Sequence, residues 1–310
     1  MVPYRRARNV WEKMQVEVES FNASIALEIR RKLIDDVTEA LQAVQTEGGQ
    51  FVVNDTLWYW RNPAGAIRPT VVNSAAYISK TFQNFLEGIG WRKEPTLRGQ
   101  NFDAMTTFEL RSRCYSIPEE RFISVLAALK SRGFMDYGVQ ASSLYKQYVQ
   151  SSAPFLPEAL VPFSDLFDHE TRNYDFRVGL EFETGNIASS FRAIEKLQGL
   201  YDSGEIDIGI FVTSKNKRDG AAKIWPVSNR NGSFEELRQR RYDARRTYPH
   251  IDVSFLPDSC CSTAKYIGEN GLYEMQFTGE VVEVNASFYE VAFNSKKEEK
   301  LLPKRLPILE

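Results

Sequence analysis

Two glutamates set two residues apart offer the clearest chemistry in the chain. Val178-Gly179-Leu180-Glu181-Phe182-Glu183 alternates, so a strand here would put Val178, Leu180 and Phe182 on one face and Gly179, Glu181 and Glu183 on the other. The two carboxylates would then stand about 7 Å apart at strand rise. Like charges at that separation repel unless a cation or a shared proton relieves them. Paired acids on the wet face of a strand are common. What distinguishes these two is their surroundings.

Any metal held here would have oxygen ligands. The chain has two histidines, His169 and His250, and its three cysteines (Cys114, Cys260, Cys261) form no spaced motif, which excludes a Cys-His zinc cluster. A set of carboxylates points to Mg²⁺. Phe163 to His169 reads as a strand, Arg172-Asn173-Tyr174-Asp175 as a turn and Phe176 to Glu183 as the return strand. With the turn centred between Tyr174 and Asp175, Asp168 faces Glu181, and Glu183 lies further along the same face. Asp175 is the competing acid, although an acid inside a turn serves readily as its cap. One carboxylate not fully engaged by metal could take the proton from water.

The elements around this pair must hold it in place. Thr184-Gly185-Asn186 leads into a helix with Ser189 or Ser190 as N-cap and Phe191, Ile194, Leu197 and Tyr201 on its buried side. Gly204 stops it. Glu205 to Thr213 is a nearly continuous apolar strand, as a central, doubly covered one should be. Strand, helix, strand predicts a crossover with a parallel pair. Ile251 to Phe255 is the next strand, after a helix opened by the capping box Ser233-Phe234-Glu235-Glu236. Upstream, Ile25, Ile29, Leu33, Val37, Leu41 and Val44 form one apolar stripe, and the first 48 residues read as helix with a break. A hairpin is expected over 51–72, turning at Asn62-Pro63-Ala64-Gly65, and a second helix from Ser74 to Glu87. Residues 105–155 read as helical, with Phe122, Val125, Leu126 and Leu129 on one face and Gly133 ending the run, a pattern shared with small helical DNA-binding modules and with helical hairpins at large. Tyr273 to Phe293 reads as a hairpin, and Lys296 to Lys300 as a solvated tail.

Charge adds a second feature. The whole chain is near neutral, at −2, so it does not attract polyanions as a body. Between Lys215 and Arg246, however, ten Lys or Arg stand against four acids, a local net of +6. An anionic polymer could span both features, with phosphates on the basic elements and one phosphate at the acids. The hydrophobic share of 43% suits a folded core, and no run of 18 apolar residues offers a membrane span. No apolar signal core follows Met-Val-Pro-Tyr-Arg-Arg, so a reduced, cytoplasmic setting is expected.

The run from Phe167 to about Pro257 resembles the PD-(D/E)XK nuclease core, in particular the BamHI/BglII type of restriction endonuclease. The matching stretches are VGLEFETGN, SSFRAIEKLQGLY, GEIDIGIFVTSKNK, SFEELRQRRYDARR and IDVSFLP, with AAYISKTFQNFLEGIGW upstream similar to the helix that precedes the core. The resemblance implies an α/β (α+β) fold with a mixed central sheet flanked by helices, extra N-terminal helices and a helical insertion. Residues 1–104 and 156–310 would form the catalytic domain, and 105–155 the insertion. Asp168 and Glu181 would be the metal-binding acids. Glu183, standing where most of the superfamily has Lys and this type has Glu or Gln, would place or deprotonate the water. Asn186, Ser189, Ser190, Arg192, Lys215, Lys217, Arg218, Arg238 and Arg241 would lie near double-stranded DNA. The implied activity is Mg²⁺-dependent, sequence-specific cleavage by a homodimer.

Overall fold

A strand with no polar face needs cover on both sides, and Ile208–Ser214 is buried at every position in the computed structural model. The structure describes residues 15–21, 25–97, 100–134, 139–184, 187–215, 218–219, 222–223, 233–240 and 246–304. Its principal elements are β1 (Gln15–Phe21), α1 (Leu27–Gln42), β2 (Trp58–Arg61), β3 (Ile67–Thr70), α2 (Ala76–Gly88), β4 (Arg92–Lys93), β5 (Ala104–Ser116), α3 (Phe122–Ser131), α4 (Val139–Leu144), β6 (Asp168–Glu183), α5 (Ile187–Asp202), β7 (Ile208–Ser214), α6 (Phe234–Gln239), β8 (His250–Leu256), β9 (Gln276–Val284), β10 (Ser287–Phe293) and β11 (Glu299–Pro303). The central sheet is mixed, in the order β1-β8-β7-β6-β5-β4. β6, β7 and β8 run parallel, and β1, β5 and β4 are antiparallel to their neighbours. The expected crossover is thus β6-α5-β7.

Alternation in the strands sends side chains to two cores. Phe176, Val178, Leu180 and Phe182 of β6 meet Ile29, Leu33 and Val37 of α1 and Ile78, Phe82 and Leu86 of α2. The Phe182 ring is stacked between Phe82 at 4.9 Å and Phe255 at 5.5 Å, centroid to centroid. Such a stack adds about 0.5–1.5 kcal/mol per pair beyond area burial. On the other face Ala193, Ile194 and Leu197 of α5 pack on Phe211 and Tyr248. The Tyr248 ring sits close over the strand because Gly209 is bare: a Cβ there would lie 2.5 Å from that ring.

Several expectations are corrected. Asp168 to Glu183 is one strand and does not turn at Tyr174-Asp175. β5 pairs with it without a break from Ala104↔Leu180 to Ser116↔Asp168, so the chain runs straight through and no reversal occurs. Residues 105–116 therefore belong to the sheet. Exposed Thr107, Glu109, Arg111 and Arg113 alternate with more buried Phe108, Leu110 and Cys114, a period of two rather than a helical one. The helical block begins at Ile117 and has its own core of Phe122, Leu126, Leu129, Tyr148 and Phe167. Residues 15–21 form the edge strand β1, not helix. The charged run near the C-terminus is no tail: Glu299–Pro303 is a strand of a second sheet, ordered β9-β10-β11-β2-β3, and Lys300 is buried within it. That sheet contains both expected hairpins, β2-β3 and β9-β10.

Candidate active site

Glu181 stays beside Glu183 on one face of β6, and its carboxylate partner comes from a different strand. Asp103 precedes β5 by one residue. Since Ala104 pairs with Leu180, Asp103 falls level with Glu181. Its Oδ2 accepts a hydrogen bond from the Phe182 N–H at 2.7 Å, and its Oδ1 accepts one from Gln83 Nε2 of α2 at 2.9 Å. Glu181 is only 5% exposed. Across the sheet Glu181 aligns with Phe211, and Phe211 with Asp252.

The fourth member comes from α5. Ala193, Ile194 and Leu197 of that helix are buried, and Lys196 flanks this stripe and lays its chain over the strand ends. Its Nζ stands 2.7 Å from Glu181 Oε1. The same ammonium donates to the Asn101 carbonyl at 2.8 Å and lies 4.7 Å from the Phe102 ring centroid.

Burial sets the electrostatics. Loss of water, and next the charge of Asp103, push the Glu181 carboxyl up to about 8, against the pull of Lys196. Burial also raises Asp103, opposed by the Phe182 N–H and by Lys196. Burial thus works against the charged form of both acids, a cost that a divalent ion relieves. Among the described residues no three His, Cys, Asp or Glu side chains group into a ready metal cage. One buried and one half-buried carboxylate suit Mg²⁺, which keeps most of its coordination as water. Asp103 and Glu181 are the residues that could hold it.

The remaining expected residues fall into three groups. Asp168 lies at the opposite end of β6, thirteen residues from Glu181, or about 40 Å of extended strand. It pairs with Arg121 at 2.7 Å on the surface, so the placement of Asp168 opposite Glu181 does not hold. Asp175 is exposed in mid-strand, opposite Glu109. Glu183, half-buried, remains beside the site, and its carbonyl accepts from Thr213 Oγ1 at 2.6 Å.

Ser189 and exposed Arg192 are hydrogen-bonded to each other at 3.3 Å in the first turns of α5. Ser190 is fully buried and turned to the core, which removes it from a surface role. Lys215 follows β7 by one residue, at the strand end that also carries Glu183. Arg238 is exposed on α6, over the Phe234 ring. Ser233 occupies the N-cap position, but its side chain makes no cap bond, and Glu236 pairs instead with Arg240. Arg246 is no surface cation: both its terminal nitrogens grip Asp252, at 2.6 and 2.8 Å, in a buried pair. Arg218 has a described backbone but no described side chain, and Asn186, Lys217 and Arg241 lie outside the described residues.

Asp103, Gln83 and Lys196 escaped sequence reasoning. The alternation that follows Asp103 was a usable signal for a strand, and register then delivers the acid. Nothing local marks Lys196, whose partner is set by how α5 lies on the sheet.

Residues 12–255 match the family model described as restriction endonuclease BamHI. The match runs to Phe255 in β8 and leaves β9, β10 and β11 outside it. No curated protein matches the chain.

Proposed function

The chain belongs to the BamHI restriction endonuclease family, and on that premise we propose that it is a type II-like enzyme. It would hydrolyse phosphodiester bonds of double-stranded DNA at a short specific sequence, with Mg²⁺, as a two-fold homodimer. The observation that carries the reading is the pairing of half-buried Asp103 with buried Glu181 at the end of β6, next to Glu183 and Lys196. Mg²⁺, when bound, supplies charge neutralisation at phosphorus and a water acidic enough to attack it. The chain's own residues do the rest. Asp103, fixed by Gln83 and the Phe182 N–H, and Glu181, fixed by the strand pair, present oxygens to the ion. Glu183 lies on the same face, with more access to solvent, and is suited to take a proton from water.

DNA would approach the strand ends that carry Glu183 and Lys215. Ser189, Arg192 and Arg238 are available there for phosphates, and Asn186, Lys217, Arg218 and Arg241 belong to the same stretches of chain. A palindromic site needs two copies of the reader, which is why a two-fold dimer is part of the proposal. None of the described helices is long and apolar enough to cross a membrane.

The test is digestion of a DNA of known sequence with Mg²⁺, followed by sequencing of the fragment ends. Discrete fragments with common end sequences are expected. A smear with unrelated ends would replace this reading by a structure-specific nuclease. Tight binding without any cut would replace it by a DNA-binding regulator.

A further inference from the structure

Between Asp55 and Glu87 the chain has no acid, while Arg61, Arg68 and Lys80 fall inside this stretch. Half of it is the β2-β3 hairpin. Arg61 and Arg68 are exposed, and Trp60, the cross-strand partner of Arg68 on the same face, is 40% exposed. Arg61 stands 3.9 Å from Glu299, at the limit of an ion pair, and none of the described acids pairs with Arg68. The turn joining the strands is already built. The Asn62 carbonyl accepts the Gly65 N–H at 2.8 Å, its Oδ1 accepts the Ala66 N–H at 2.8 Å, and Gly65 supplies a φ of 80°. A surface fixed in advance loses little freedom on binding.

Charge is sorted across the second sheet, whose order is β9-β10-β11-β2-β3. Glu280 and Glu283 lie on β9 and Glu290 on β10, whereas the only charges on β2 and β3 are Arg61 and Arg68. The β9 edge repels a polyanion and the hairpin edge attracts one.

The hairpin is braced from the end of the central sheet that carries the acids. β6, β7 and β8 are parallel, so their carboxyl ends lie side by side, and the Lys215 N–H donates to the Phe255 carbonyl there at 3.0 Å. Just past β8 the Asp258 N–H donates to the Phe51 carbonyl at 2.9 Å, and Asp258 Oδ2 accepts the Phe51 N–H at 2.8 Å. Ser259 and Cys260 then pair with Val52 and Val53, and Trp58, the first residue of the hairpin, donates its Nε1–H to Tyr266 Oη at 2.9 Å. Most of this brace, and the three strands that complete the second sheet, lie beyond the residues matched by the family model.

We propose that the β2-β3 hairpin is a second DNA-binding element that grips the duplex outside the cleaved sequence, with Arg61 and Arg68 on backbone phosphates and the Trp60 ring against the sugars between them. The inference rests on the nuclease reading above and deepens it. Contacts of this kind go to the backbone, so they add affinity and leave the choice of sequence to other residues.

The experiment measures binding of the full-length protein, in Ca²⁺, to two duplexes centred on the sequence found at the fragment ends. One has flanks of about two base pairs and the other of about ten, one helical turn. The wild type is expected to bind the long duplex about tenfold tighter or more at low salt. Arg61→Ala/Arg68→Ala should lose that advantage, and its salt slope on the long duplex should fall by about one for each phosphate contact removed. Its affinity for the short duplex and its cut positions should match the wild type. Trp60→Ala should lose part of the advantage with the slope unchanged. Arg61→Ala also releases Glu299, so if the double variant fails to fold by circular dichroism, Arg68→Ala alone carries the test. An advantage and a slope unchanged in these arginine variants overturn the proposal. Equal binding of both duplexes by the wild type overturns it too and leaves the nuclease reading standing. A double variant that sediments as monomer where the wild type is a dimer, with flank dependence intact, overturns it in favour of a contact between copies. No binding of either duplex by the wild type overturns both readings.

Discussion

The two ends of β6 carry acids of the same kind in opposite circumstances. At one end Asp168 and Glu170 stand exposed, and Asp168 is satisfied by a surface arginine. At the other end Glu181 is buried beside a second carboxylate, with one ammonium to offset them. An exposed ion pair contributes about 0–1 kcal/mol and costs little to lose. A buried carboxylate pair is unfavourable by itself, and a fold that keeps one holds a store of cation affinity. The difference between the ends lies in the neighbours of the strand, since the residue types are alike.

Replacing Glu181 should give the largest effect. Glu181→Ala is expected to lower cleavage by about 10³-fold or more, the scale of removing a key stabiliser of the transition state. DNA binding, measured by gel shift in Ca²⁺, should persist. Glu183→Ala should abolish cleavage in the same way. Full activity in either variant would erase the contrast between the ends of β6. Asp103→Asn comes next, with a loss of about 10²-fold or more. The amide keeps one acceptor for the Gln83 and Phe182 donors but removes the charge that a cation needs. Asp175→Asn, at an exposed acid in mid-strand, should leave cleavage unchanged in the same assay.

The buried end also makes a thermodynamic prediction. The Glu181 carboxyl is pushed from its ordinary 4.5 up to about 8, by burial first and by Asp103 second. The folded protein therefore binds this proton more firmly than the unfolded chain does. The associated stability is fully present below about pH 4.5 and is lost as pH rises through about 8. Denaturant unfolding of the metal-free protein should show a fall of a few kcal/mol across that window. Glu181→Gln should flatten this slope, and Mg²⁺ should raise the stability near pH 8.5, where the carboxylate is ionised. A slope unchanged in Glu181→Gln would show that Glu181 is not the group responsible.

Much of the frame was legible because it depends on local pattern. The period of α1, the apolar run of β7 and the crossover through α5 follow from spacing alone. Glu181 and Glu183 were found because alternation places them together. Asp168 was misplaced because Arg172-Asn173-Tyr174-Asp175 has turn-forming residues, and turn chemistry yields when a long antiparallel partner satisfies the backbone. Once 105–116 is taken as helical, β5 disappears, and with it the register that brings Asp103 to Glu181. Lys196 depends on one further step, the docking of a helix on the sheet, which no short pattern encodes.

The smallest expected effect gives the comparison its control. Asp168→Asn removes the charge from a surface pair in which Arg121 is 44% and Asp168 51% exposed. Arg121 loses a partner but keeps access to water, so stability should fall by no more than about 1 kcal/mol. Cleavage should be unaffected, since about 40 Å of strand separates this carboxylate from Glu181, several times the distance over which exposed charges act at physiological salt. The measurement is a digestion rate at fixed Mg²⁺ together with a melting temperature. A loss of cleavage near that of Glu181→Ala, with the melting temperature unchanged, would return Asp168 to the site and overturn the register on which Asp103 was chosen. An ordinary rate would establish that an acid's position along β6, and not its presence on it, decides whether it takes part.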